Sequence, residues 1–135
     1  MNSKELENRL IDFSIKAVNL IKSLPEDRVT DHLSGQLLRS AISPALNYGE
    51  AQGAESRKDF VHKLAIVLKE LRESLNCLRI LAGTDYITTE STVIKECNEL
   101  VSIFVKSLET NKKKIEEERR RSSDKSQTKN QNSPL

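Results

Sequence analysis

One stretch limits the fold of this chain more than any other. From Phe60 onward, Leu64, Val67, Leu71, Leu75, Leu78 and Ala82 recur at spacings of three and four. That near-heptad stripe belongs to one side of a long helix and suits the shallow crossing angle of a bundle. Ser56 is placed to cap its start, with Asp59 at the N3 position of a capping box in place of the usual glutamate. Gly83 is expected to stop it. Val61, Leu68 and Ile80 widen the apolar surface beyond one stripe, which implies either deep burial or a second packing surface.

The same period recurs three more times. Leu6, Leu10, Phe13, Ala17, Leu20 and Leu24 predict a helix over about 3–22, with Asn2 and Glu5 as a capping box and Pro25 ending it. Leu33, Leu37, Ala41, Ala45 and Tyr48 predict a second over about 30–51, starting near Thr30 or Asp31. Pro44 falls inside it and is expected to kink or restart it. Gly53 is a candidate for a left-handed position at its end. The long third helix covers about 56–82. Val93, Cys97, Leu100, Phe104 and Leu108 carry a fourth over about 89–111, widened by Ile94, Val101 and Val105. Four helices with short connections predict an all-α, antiparallel up-down-up-down bundle over residues 1–111.

Past Leu108 only Ile115 is apolar before the last residues. Residues 112–121 read as a charged helical extension, supported by Glu116–Arg120 and Glu117–Arg121 at i, i+4. Residues 122–135 have nothing to bury and are expected to form a disordered basic tail. Residues 112–135 hold eight Lys and Arg against four acids, a net of +4, so the whole-chain charge of +2 leaves −2 on residues 1–111. Attraction to nucleic acid therefore belongs chiefly to the tail. The N-terminal MNSKELENRL shows no signal-peptide pattern and the longest apolar run, Leu64–Leu68, is too short for a bilayer, so a cytoplasmic location with no membrane partner is expected. Two cysteines there are expected to be reduced.

The polar residues between the second and third stripes carry a resemblance. Ser43 to Gln52 (SPALNYGEAQ) fits the pattern Ser-X-X-Ala-Asn-Tyr-X-Glu-Ala-Gln with one position changed in character. Ala54 to Lys63 fits Ala-Glu-Ser-X-X-Asp-Phe-X-His-Lys. Leu68 to Glu73 and Leu78 to Leu81 supply Leu-Lys-Glu-X-X-Glu and Leu-Arg-X-Leu. On these motifs the chain resembles the bacterial four helix bundle proteins, also called 23S rRNA intervening-sequence proteins. The accessory variability determinant of diversity-generating retroelements is a related protein. The resemblance implies a bundle that assembles as a ring-like homopentamer, with no enzymatic activity established for the family. It also implies a link to RNA or to a nucleic-acid-processing protein.

The residues offer little catalytic chemistry. A di-metal bundle needs two inward Glu-x-x-His motifs and two further glutamates. This chain has one partial match, Asp59-Phe60-Val61-His62. Glu70 and Glu73 share a helix face, but no nucleophile or oxyanion donor accompanies them. No cofactor, metal or small-molecule substrate is expected. Two candidate surfaces remain. Arg39, Asn47, Glu50, Arg57, Asp59, Glu70 and Arg72 are candidates for hydrogen bonds between subunits of a cyclic assembly. Lys112, Lys113, Lys114, Arg119, Arg120 and Arg121 are candidates for RNA binding, with no aromatic among them for base stacking. Cys77 and Cys97 lie at similar distances from the turn at 83–88, which can bring them near each other in the hairpin.

Overall fold

A computed structural model describes residues 1–131, with side chains described through Ser126. Four helices account for the architecture: α1 (Ser3–Ser23), α2 (Arg28–Ala51), α3 (Arg57–Gly83) and α4 (Thr92–Gln131). Each helix packs on the next in sequence and α4 returns to α1, with the broadest contact between α2 and α3. The stripes read from the sequence meet at the centre. Leu10, Phe13, Leu37, Leu64, Leu71, Leu78, Leu100 and Phe104 are fully buried. Each such side chain contributes roughly 1.5–3 kcal/mol by leaving water. Tyr48 and Phe104 meet edge to face, with ring centroids 5.5 Å apart and planes at 84°.

Helix starts follow local capping. Asn2 and Glu5 form the expected box on α1. The second helix starts earlier than expected, because Asp27 accepts the Thr30 N–H at 2.9 Å while Thr30 Oγ1 accepts the Asp27 N–H at 3.0 Å. On α3, Ser56 Oγ accepts the Asp59 N–H at 3.1 Å. The return bond from the Asp59 carboxylate is not formed, its side chain being one methylene shorter than glutamate. The fourth helix starts at Thr92 rather than near residue 89, since the Ser91 N–H closes a turn on Thr88 O outside the helix.

Two glycine expectations are corrected. Gly53 is not left-handed, and Gly83 is the last residue of α3 rather than the stop beyond it. The left-handed residue of the α3–α4 connection is Asp85 at φ 66°, a conformation aspartate tolerates better than most residues.

Pro44 does not divide α2, which runs unbroken past it with the ring buried. The missing proline N–H removes a partner from the Ser40 carbonyl. Serines gather there. Ser14 Oγ on α1 contacts Ala41 O at 2.7 Å, and Ser74 Oγ on α3 donates to Ser40 Oγ at 2.9 Å. These polar contacts tie α1 and α3 to α2 inside an otherwise apolar interior.

The expectation of disorder beyond residue 121 is also corrected. The helix continues to Gln131, and residues 132–135 lie outside the described residues. Nothing between Lys112 and Gln131 is Pro or Gly, so a helix already nucleated in the bundle propagates at little cost per residue. No helix among the described residues is long and apolar enough to cross a membrane.

Candidate functional site

The polar corner between α2 and α3 is largely occupied within the chain. Lys63 Nζ donates to Glu50 Oε2 at 2.6 Å. The Asn47 amide donates to Ser43 O and Ser43 Oγ one turn back. Arg57 spans a wider gap, donating to Glu118 Oε1 at 3.0 Å and to Asn111 Oδ1 at 3.2 Å. Of the remaining interface candidates, Arg39, Asp59 and Arg72 are exposed and Glu70 is half-buried. Burial is the main cause that raises Glu70 above the ordinary glutamate range. Glu73 adds to the rise, while Lys69 and Arg39 oppose it. The structure thus brings Arg39 of α2 and the Glu70–Glu73 pair of α3 into one electrostatic cluster on the outer α2–α3 seam.

Beside that cluster lies a feature the stripes did not disclose. Leu38, Ile42 and Leu46 stand at i, i+4 and i+8 on α2, one step around the helix from the buried Leu37 and Ala41 and the half-buried Ala45. With Arg39 and Ser43 they line a shallow, almost wholly apolar groove. Leu46 is 63% exposed and Leu38 41%. On the neighbouring helix Ile15 is 53% and Ile11 41% exposed. Ser14 of α1 meets Ala41 of α2, so these two stripes flank the same seam. The extra apolar residues of α3 and α4, by contrast, are mostly absorbed: Leu68 is buried, and Leu75, Ile94, Val101, Val105 and Leu108 pack against the core. Only Ile80 of that set is strongly exposed, at 50%. The more exposed apolar face therefore belongs to α1 and α2, while Leu75, Ala82 and Ile94 line a second open cleft between α3 and α4. Its signal in the sequence was the second i, i+4 stripe, Leu38-Ile42-Leu46, next to the core stripe.

The basic candidates stand on the free part of α4. Asn111, buried at 9%, marks where the bundle ends. Beyond it Lys112, Lys113, Lys114, Arg119, Arg120 and Arg121 are all exposed, and Arg120 is 3.8 Å from Glu116. The helix carries them on a rod of about 30 Å from Lys112 to Gln131.

The thiols do not form a bridge. Both are buried and free, and Cys97 Sγ contacts Leu71 O at 3.3 Å. Burial pushes the Cys97 thiol up to about 12 and raises Cys77 as well. Neither is poised as a thiolate nucleophile. Among the described residues no three His, Cys, Asp or Glu side chains converge on a metal position.

Residues 4–106 match the model of the 23S rRNA-intervening sequence protein family. Among solved structures, the chain is similar to a protein of unknown function from the S23 ribosomal protein family of Bacteroides thetaiotaomicron VPI-5482. The identity is 31% and the TM-score 0.70, over 81% of this chain and 99% of that one. No curated protein matches the chain. The family match covers the bundle, including both apolar stripes of the open face, and stops before the basic extension.

Proposed function

The chain belongs to the 23S rRNA-intervening sequence protein family, and on that premise we propose that it is a non-enzymatic helical-bundle scaffold that assembles with copies of itself in the cytoplasm. The observation that carries this reading is the α1–α2 face. An apolar groove on α2, with exposed Ile11 and Ile15 on the neighbouring helix and charge at its rim, is what a protein–protein interface presents before it forms. Arg39 and the Glu70–Glu73 pair place both signs of charge at its edge, which suits a surface that meets another copy of the chain. The assembly we propose is a cyclic homopentamer.

The helix directions support an up-down-up-down bundle. Ser14 meets Ala41 while Glu7 lies over Gly49. Ser40 meets Ser74 while Glu50 meets Lys63. Leu71 meets Cys97 while Arg57 meets Asn111. In each pair the residue numbers rise on one helix as they fall on its neighbour. Light scattering at micromolar concentration tests the assembly: an oligomer is expected, and a monomer contradicts it.

A second reading, association with RNA, is favoured by one observation: the basic residues after Asn111 stand on a continuous helix projecting from the bundle. Deleting residues 112–135 is expected to abolish a salt-dependent mobility shift of RNA. A shift that survives the deletion contradicts this reading.

A further inference from the structure

The charges of the extension are not equivalent around the helix. At 100° per residue, Lys114, Arg121 and Lys125 fall on one stripe, at i, i+7 and i+11. Lys112 and Arg119 fall on a second. Lys113 and Arg120 fall on a third, which Glu117 and Asp124 share and Glu116 borders. Two acids flank the first stripe within one turn of both Lys114 and Arg121: Glu117, shared with the third stripe, and Glu118, four residues after Lys114 and three before Arg121. On an isolated helix Glu118 would pair with one of these cations. Here it is held by Arg57 from α3 at 3.0 Å, and the same guanidinium is anchored by Asn111 at the end of the bundle.

We propose that Lys114, Arg121 and Lys125 form a binding stripe for the phosphodiester backbone of a nucleic acid, with Arg57 as the positioning residue that keeps Glu118 from neutralising it. This rests on the nucleic-acid reading above and adds the surface, the chemistry read and the regulator of its charge. The stripe spans about 16 Å of a rigid helix, so its cations face several successive phosphates at once. Nothing on it reads bases: the extension holds no aromatic residue for stacking, and lysines and arginines spaced along one stripe contact phosphates without fixing sequence. A membrane surface fits poorly, because an interfacial helix needs an apolar face and the extension offers only the half-buried Ile115.

The test uses the full chain and fluorescence anisotropy with three probes of equal length: an unstructured single-stranded RNA, the same sequence in DNA, and a DNA duplex. The stripe variant K114Q/R121Q/K125Q is compared with the equally charged variant K112Q/K113Q/R119Q. With each phosphate contact worth about fivefold at 0.1 M salt, the stripe variant should bind on the order of 100-fold more weakly. The slope of log affinity against log salt should become shallower by about 2. The off-stripe variant should stay within about threefold of wild type. Equal losses in both variants overturn the stripe while leaving a diffuse basic tail as the binder. Failure of the wild-type chain to bind any probe overturns both readings.

The three probes decide which nucleic acid supplies the phosphates. Binding to phosphatidylglycerol vesicles or to polyglutamate as tight as to the best oligonucleotide overturns the phosphodiester assignment. Arg57→Gln should weaken binding about fivefold, and adding Glu118→Gln should restore it, because the released carboxylate is then gone. A merely structural role for Arg57 predicts no such rescue, and its absence removes Arg57 from the proposal.

Discussion

The two halves of α4 are one unbroken helix made by different physics. Between Val93 and Phe104 it is held by burial: Cys97, Leu100 and Phe104 are out of water altogether. From Lys112 onward it is held by intrinsic propensity, by the Glu116–Arg120 pair, and by the hold of Arg57 on Glu118. Exposed pairs of that kind contribute only a few tenths of a kcal/mol each. The first half therefore carries the stability of the domain, and the second half is free to present charge. A helix need not bury anything to persist, provided that its nucleus is paid for elsewhere in the same element.

The sharpest way to break this comparison is to damage each half in turn. Phe104→Ala should destabilise the chain by about 3–5 kcal/mol in urea unfolding, because it leaves a cavity beside Tyr48 and Leu100. Deleting residues 112–135 should change the same midpoint by no more than about 0.5 kcal/mol. A large loss from the deletion would show that the extension is part of the folding unit.

A middle-sized effect is expected at the buried serine pair. Ser74→Ala removes the donor to Ser40 Oγ and should cost about 1 kcal/mol, read by the same unfolding experiment. A neutral outcome would mean that the pair sets helix register without adding stability.

The smallest effects are electrostatic and have opposite signs. The Thr30 N–H and then the Tyr86 hydroxyl hold the Asp27 carboxyl below its ordinary range. Its contribution is therefore present above the ordinary aspartate pKa and lost as pH falls through the lowered value. Glu70 is raised, chiefly by burial, so its contribution is present below the ordinary glutamate pKa and lost as pH rises through the raised value. Asp27→Asn should flatten the acid limb of a plot of unfolding midpoint against pH. Glu70→Gln should raise the midpoint at neutral pH relative to wild type and remove the decline just above the ordinary glutamate range. Parallel curves for all three proteins would contradict both assignments.

The four helices were legible because each core stripe repeats at the helical period and because the caps at Asn2 and Ser56 are local. The start of α2 lies two residues before the first helical position its sequence pattern marks: the box at Asp27 uses threonine at N3, a weaker sequence signal than glutamate. The unbroken passage through Pro44 is not legible in the sequence, since the burial of its ring depends on packing against the other helices. The open face was harder still. Leu38-Ile42-Leu46 and Val101-Val105-Leu108 look alike as strings, and only the packing shows that the second set is covered while the first is not. The helical extension runs past residue 121 because low hydrophobicity does not by itself end a helix that propagates from a buried nucleus.

The central claim is that the α1–α2 face is an assembly surface between copies of this chain. Sedimentation of the wild-type chain and of Leu46→Asp at micromolar concentration tests it most directly. Leu46 is already mostly exposed in the single chain, so the substitution should leave helicity and unfolding midpoint unchanged. The account predicts a pentamer for the wild type and a folded monomer for the variant. A wild-type monomer, or a variant that sediments with the wild type, would contradict it.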